Sequence, residues 1–149
     1  MMSERFMDKL KEDNEYIDKV FQTAYFFDRP ERQLAYLVGR YYSKATYLQN
    51  RELRTNSLIK KLPNYTKRID LEKIKTMLDE CNVVLQKIAS MKKSPNVMLS
   101  DLRNRIFDLL QSIEEETESR HELGIAFQMG YDSSLAQLRT EEEGESEEQ

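Results

Sequence analysis

Residues that bend, interrupt or cross-link a chain are scarce in this sequence. Its 149 residues include 4 Gly, 3 Pro and 1 Cys. Few Gly and Pro residues imply few turns and long elements, which is typical of helices. The single cysteine, Cys81, excludes an internal disulfide and indicates a reducing compartment. At this length the chain is expected to form one domain.

Long apolar runs are absent as well. No stretch approaches the roughly 18 consecutive apolar residues that identify a membrane-spanning helix. The N-terminal sequence MMSERFMDKLKEDNEYIDK lacks the apolar core of a secretory signal. We therefore expect a cytoplasmic protein without a membrane segment.

The groups that build catalytic or cofactor sites are equally sparse. The only histidine, His121, and the only cysteine cannot assemble a Cys/His zinc site. No glycine-rich phosphate loop or nucleophile elbow is visible, although a Ser-His-Asp triad assembled by folding stays open. Glu118 and His121 have the spacing of helical iron sites, but a homodimer would have to supply the second pair that such sites need. We predict a protein that is not an enzyme and holds no metal or cofactor.

Charge is unevenly distributed along the chain. The whole sequence carries a net charge of −4, yet residues 141–149 contain six Glu and no basic residue. Between Arg40 and Arg105 there are 15 Lys and Arg against 6 Asp and Glu, a local balance of +9. A basic middle with acidic ends indicates a polyanionic partner.

Apolar residues recur at helical spacing in the first third of the chain. They predict a first helix from about Ser3, its N-cap, to Phe26. A break follows at residues 28–31, where Asp28 can cap a second helix and Pro30 suits its first turn. That helix is expected to continue at least to Gln49.

Three more helices are predicted after a loop at Leu62-Pro63-Asn64-Tyr65, where proline forces the residue before it out of the helical region. One follows its cap Asp70 to about residue 92, one follows its cap Ser100, and the last runs from about Ser119 to Leu138. The sequence thus predicts an all-α fold. We expect an antiparallel bundle of about five helices over residues 1–140 and a disordered acidic tail at 141–149.

The second helix carries the most informative local feature, a row of tyrosines and cations. At about 100° per residue, six side chains fall in a sector roughly 80° wide beside the apolar stripe. Cations along a helix can follow a phosphate backbone, and tyrosines between them can stack on unpaired bases. An ordinary solvated basic face is the alternative. The predicted nucleic-acid-binding residues are these six, Tyr36, Arg40, Lys44, Tyr47, Arg51 and Arg54, followed by Lys60, Lys61, Lys67 and Arg68.

A second cluster of cations lies further along the chain, at Lys92, Lys93, Arg103 and Arg105. Glycine also stands inside two predicted helices, at Gly39 in the second and at Gly124 and Gly130 in the last. Each costs about 1 kcal/mol relative to alanine in a helix. Such glycines usually let another backbone approach closely. The first interpretation is a tight contact within the bundle, and docking against a partner chain is the second.

Two segments resemble the C-terminal region of the large subunit of type I CRISPR surveillance complexes (Cascade), type I-B most of all. Leu34-Ala35-Tyr36-Leu37-Val38-Gly39-Arg40, with Gln49 nine residues later, is similar to an apolar helix with a Leu-x-Gly-Arg-like turn and a later Gln. Glu122-Leu123-Gly124-Ile125-Ala126-Phe127-Gln128-Met129-Gly130-Tyr131 is similar to the closing helix of that region. Leu62-Pro63 and the two helices after it occupy the positions of the family's linker and amphipathic helices. The resemblance covers roughly residues 32–131.

The chain is much shorter than the large subunit, and so it looks like the small subunit, which several type I systems translate from an internal start. The resemblance implies a non-catalytic helical bundle whose copies contact one another and the large and backbone subunits. It also implies that the bundle supports guide RNA and target DNA through backbone shape, in antiviral defence. Types I-C and I-D stay open, as does a module that bridges protein subunits without contacting nucleic acid. The overall acidity and the glutamate tail depart from the family's pattern.

Overall fold

A computed structural model describes residues 4–65, 69–92, 97–113 and 120–147 of the chain, and these form a helical bundle. Six α-helices are present in these ranges, and no strand is. The predicted all-α fold class is therefore confirmed. The helices are α1 (Glu4–Thr23), α2 (Pro30–Leu48), α3 (Ser57–Tyr65), α4 (Leu71–Lys92), α5 (Val97–Ser112) and α6 (Arg120–Glu147).

A short 3-10 turn, Tyr25–Asp28, joins α1 to α2. Pro30 opens α2 as predicted, because proline has no N–H to leave unsatisfied in a first turn. The prediction that Asp28 caps this helix is wrong. The N-cap position belongs to Arg29, whose side chain makes no capping bond. The chain is instead held here by the side chains of Arg32 and Gln33, which donate to the carbonyl oxygens of Phe26 and Phe27 at 3.1 and 2.7 Å.

The predicted row of six side chains requires one continuous α-helix over residues 36–54, and the structure does not have it. α2 ends at Leu48, and one wider π-helical turn, Gln49–Leu53, carries the chain to Arg54, which has a left-handed backbone with φ of 55°. The Gln49 side chain supplies the cause. It donates to Ser57 Oγ at 2.8 Å and accepts from the backbone N–H of Leu58 at 3.1 Å, so it fastens the end of α2 to the beginning of α3.

α3 occupies the segment where a loop was predicted, which raises the number of helices from five to six in the described part of the chain. Pro63 is the seventh of the nine residues of this helix. The helix is fixed at its start: Leu58 is buried, and its carbonyl oxygen accepts a hydrogen bond from the Tyr42 hydroxyl.

The other predicted helix starts have mixed outcomes. Asp70 caps α4 as predicted, since its Oδ1 accepts the backbone N–H of Lys73 at 2.8 Å. Ser100 does not cap α5, which begins three residues earlier, at Val97. The predicted caps Ser3 and Ser119 lie outside the described residues. The acidic segment that starts at residue 141 prolongs α6 to Glu147, and the described core side chains of this helix end at Leu135.

α2 is the central helix of the bundle. It packs mainly against α6 and also against α4 and α5, and 13 of its 19 residues are buried. α1 runs antiparallel to it, with Asp13 beside Lys44 and Phe21 against Tyr36. Because α2 is surrounded on nearly all sides, little of its surface is available to a ligand.

The crossing of α2 and α6 depends on two glycines. A Cβ atom at Gly39 would overlap the carbonyl oxygen of Phe127, and one at Gly130 would overlap the carbonyl oxygen of Tyr36. Each glycine thus admits the backbone of the opposite helix. For these two residues, the predicted close contact within the bundle is confirmed.

Candidate nucleic-acid interface

The predicted tyrosine and cation row on α2 is not one exposed face. Tyr36 is 2% exposed and Arg40 is 0% exposed. The prediction that both lie on the exterior is wrong, because α6 and α1 cover the side of α2 that the helical spacing alone leaves free. Neither side chain can contact a nucleic acid in this arrangement.

Arg40 joins three helices at the centre of the bundle. Its Nη1 donates to Ser133 Oγ at 3.1 Å and its Nη2 donates to Gln137 Oε1, both on α6. The carboxylate of Asp13 on α1 lies 3.9 Å from Nη2. The guanidinium also lies over the rings of Tyr16 and Tyr36, with its carbon 5.4 and 5.9 Å from their centroids. These contacts compensate the desolvation of a buried charge, which is otherwise costly.

Lys44 and Tyr47, the next two members of the row, are partly covered. The Lys44 ammonium donates to the Asp13 carboxylate at 2.8 Å, and the lysine side chain is 13% exposed. Tyr47 is half-buried. A short, largely shielded ion pair leaves Lys44 little capacity to bind a phosphate while α1 is docked.

Four of the predicted cations remain exposed where α2 turns into α3. We call residues 49–61 the elbow. Its cations are exposed, although Arg51 Nε lies 3.4 Å from the Glu52 carboxylate and Lys61 Nζ lies 3.5 Å from the Glu80 carboxylate. The side chains of these two glutamates are only 13% and 23% exposed. Positive groups therefore extend further into solvent than the nearby carboxylates. The exposed elbow cations are Arg51, Arg54, Lys60 and Lys61; Lys67 and Arg68 lie outside the described residues.

The second predicted cluster of cations is only partly assembled. Arg105 is taken up by the Asp18 carboxylate of α1. Arg103 is exposed and lies over the Phe107 ring, with its guanidinium carbon 5.3 Å from the centroid. Lys93 and the Lys92 side chain lie outside the described residues.

Sequence reasoning missed a cleft of about 80 Å³ between α4 and α5. Two cations and an exposed aromatic ring lie at its rim, and the Tyr41 phenol reaches it from α2. Burial raises the pKa of Tyr41 to about 12; the Cys81 thiol adds to the rise and the Arg103 guanidinium opposes it. The sequence contained one indication of this cleft: Arg103 and Phe107 are four residues apart on one helix and therefore lie side by side on its surface. The lining residues are Tyr41, Lys75, Leu78, Asp79, Asn82, Arg103, Phe107 and Leu110.

The reactive groups singled out in the sequence do not converge in the described part of the chain. Cys81 is buried, and burial, followed by the charge of Glu80, raises the pKa of its thiol well above the ordinary value. His121 is exposed at the start of α6, and Glu118 lies outside the described residues. No group of three His, Cys, Asp or Glu side chains is arranged to hold a metal ion within the described ranges.

No helix within the described ranges has the length and apolar character needed to cross a membrane. No family model, curated protein or solved structure shows significant similarity to the chain.

Proposed function

We propose that this chain is the non-catalytic small subunit of a type I RNA-guided surveillance complex, most similar to type I-B, in the cytoplasm. In this role it holds the backbone of guide RNA or target DNA without reading sequence. The elbow cations Arg51, Arg54, Lys60 and Lys61 make the contact, while Arg40 belongs to the interior. Phosphate contacts of this kind give affinity that depends on salt and not on base identity.

The observation that carries the proposal is the crossing of α2 and α6. The two segments that resemble the large-subunit region, residues 34–40 and 122–131, are separate in sequence but pack directly together through Gly39 and Gly130. Each segment contributes one glycine to the same helix crossing, and this close contact explains why both segments contain glycine. It supports the family assignment because the motifs act as one packing unit.

The elbow supports the assigned contact. Gln49 and Tyr42 bind the backbone of Leu58 and thereby fix the fold of the turn, so its four cations are presented from an ordered segment. Preorganised cations lose less conformational freedom on binding a phosphate backbone than cations of a flexible tail.

The test is the salt dependence of binding between the full chain and a labelled oligothymidine. Replacing the four elbow cations with alanine is expected to weaken binding and to reduce the slope of log K against log salt by up to about 3, or about 0.7 per lost single-strand phosphate contact. The matched control replaces four exposed cations elsewhere, Lys11, Lys19, Lys87 and Arg139. Equal losses in both variants would show that only bulk charge matters, and the elbow assignment would then be wrong.

A second candidate function is a protein-bridging module without nucleic-acid contact. It is favoured by an exposed apolar stripe on α6, where Ile125 and Met129, four residues apart, are 39% and 43% exposed. Such a pair on one helix face can anchor a partner helix. In this case the substitutions Ile125→Asp and Met129→Asp would prevent assembly with the other subunits, while Gln86→Asp and Ser90→Asp, at exposed positions of α4, would not. The elbow variant would assemble and bind target normally.

A further inference from the structure

We propose that α1 is a built-in cover: its carboxylates occupy, in place of phosphates, a second nucleic-acid-binding surface formed by Lys44 and Arg105. This inference rests on the proposed function, because it adds a regulated surface to the same binding activity. Displacement of α1 by a single-stranded nucleic acid exposes the two cations and adds them to those of the elbow.

The first argument is the pairing of charges between α1 and the helices beneath it. Asp13 binds the Lys44 ammonium at 2.8 Å and lies 3.9 Å from Arg40, and Asp18 binds Arg105. Asn14 adds two polar contacts with α5, donating to Asp101 at 3.1 Å and accepting from Arg105 at 3.4 Å. The cations that α1 covers are among those that the sequence indicates as a polyanion surface.

The second argument comes from polar atoms that α1 covers without satisfying. Arg40 Nε and Tyr36 Oη are buried and have no hydrogen-bond partner among the described residues. The side chains that carry them contact α1: the Arg40 guanidinium carbon lies 5.4 Å from the centroid of the Tyr16 ring, and the Phe21 and Tyr36 ring centroids are 5.5 Å apart. Buried donors without acceptors are costly. An anion or water admitted by displacement of α1 offers these donors the acceptors that the closed state lacks.

The third argument is that the described side chains of α1, residues 11–23, bury little apolar surface. Among its side chains that are described, Ile17 alone belongs to the buried core, and Val20 and Phe21 are partly buried. α1 can move as a rigid unit about the segment that follows it, because the helical geometry is interrupted there. Ala24 is extended, and Phe27 departs from helical geometry within the following turn. Polar and ionic contacts therefore make up much of the attachment of residues 11–23, and segments attached in this way open more readily than a closely packed core.

The experiment compares two double substitutions in the full chain that change net charge equally. Asp13→Asn with Asp18→Asn removes the carboxylates that face the cations. Glu12→Gln with Glu15→Gln removes carboxylates of exposed residues on the same helix. The Asp variant is expected to bind a labelled oligothymidine about tenfold more tightly than the Glu control, because no carboxylate of α1 competes with the strand for the cations. Identical affinities of the two variants would overturn the proposal.

Hydrogen exchange of the unmodified chain provides the second measurement. Amides of residues 11–23 are expected to exchange faster when the oligothymidine is bound, because α1 is released, and unchanged or slower exchange overturns the proposal. Failure of the proposed function and failure of the α1 proposal give different results. If the proposed function fails, neither the unmodified chain nor the Glu control binds; if only the cover fails, all chains bind and the Asp variant matches its control.

Discussion

At the scale of single residues, Arg40 has a structural role that its charge does not suggest. It is fully buried and bonded to Ser133 and Gln137 of α6, with Asp13 of α1 beside it. An arginine at this point specifies how three helices meet, because each bond requires a particular orientation of the planar guanidinium.

Arg40→Ala is therefore expected to lower the free energy of unfolding by about 3 kcal/mol, since removing one member of a buried ionic network leaves its partners without their charge complement. Denaturation by urea measures the change. Lys87→Ala, at an exposed position on α4, should stay within about 0.5 kcal/mol of the unmodified chain. A similar small effect for Arg40→Ala would mean that the buried contacts contribute little.

The buried thiol and phenols predict a loss of stability in alkali. Burial raises the pKa of Cys81 above 9.0, that of Tyr41 from 10.0 to about 12, and that of Tyr131 above 10.0. Above about pH 9 the unfolded chain therefore releases protons that the folded chain retains, so the free energy of unfolding falls as pH rises. Tyr41→Phe should make the free energy of unfolding fall less steeply with pH between about pH 10 and 12, as measured by urea denaturation at a series of pH values. A pH dependence equal to that of the unmodified chain would contradict the assigned burial of this phenol.

At the scale of helices, the crossing of α2 and α6 requires glycine on both sides. Gly39→Ala and Gly130→Ala each place a Cβ against backbone atoms, which cannot rotate away as a side chain can. We expect each to destabilise the fold by about 3 kcal/mol or more, at the upper end of overpacking effects, in spite of alanine's higher helix propensity. Thermal unfolding measures this. Stabilisation by either substitution would show that the helices are further apart.

Helical periodicity predicted most of the fold because each helix buries a recognisable apolar stripe. It predicted the nucleic-acid-binding row on α2 poorly. A helical wheel shows which residues share a face of a helix, but it does not show how many other helices pack around that helix. α2 has a second packed side, indicated by its small residues: Ala35, Gly39, Ser43 and Thr46 recur every three or four positions and are all buried. Arg40 lies next to this row, so small-residue spacing was the signal that could have assigned it to the interior.

The elbow and α3 could not be predicted for a different reason. Both depend on contacts between residues that no local pattern connects, such as the bonds from Gln49 and Tyr42 to Leu58. Once these bonds form, the unfavourable local preferences of Pro63 and Arg54 are outweighed.

Arg54→Gly tests this conflict between local and tertiary preference. Arg54 has a φ of 55°, a left-handed conformation that costs a side chain about 1 kcal/mol and costs glycine almost nothing. Glycine also raises the conformational entropy of the unfolded chain, which offsets part of this advantage. We therefore expect the free energy of unfolding to rise by a few tenths of a kcal/mol. Arg54→Ala, which keeps the Cβ, provides the comparison. An unfolding free energy lower for the glycine variant than for the alanine variant would contradict the left-handed assignment.

At the scale of the whole molecule, the structure places the cations of the basic middle in different surroundings. Those of the elbow are exposed, two of them beside carboxylates, while Arg40, Lys44 and Arg105 are engaged with α1 or α6. Part of the positive charge of this region is thus neutralised within the folded chain. The exposed cations form a smaller basic surface on an acidic chain.

The most direct test of the proposed function is the affinity of the assembled RNA-guided complex for target DNA. Complexes are prepared without the chain, with the unmodified chain, and with the chain whose Arg51, Arg54, Lys60 and Lys61 are alanine. We predict that omission weakens target binding, that the unmodified chain restores it, and that the alanine variant joins the complex but restores little of the affinity. Full restoration by the alanine variant, or no loss when the chain is omitted, would contradict the assigned role.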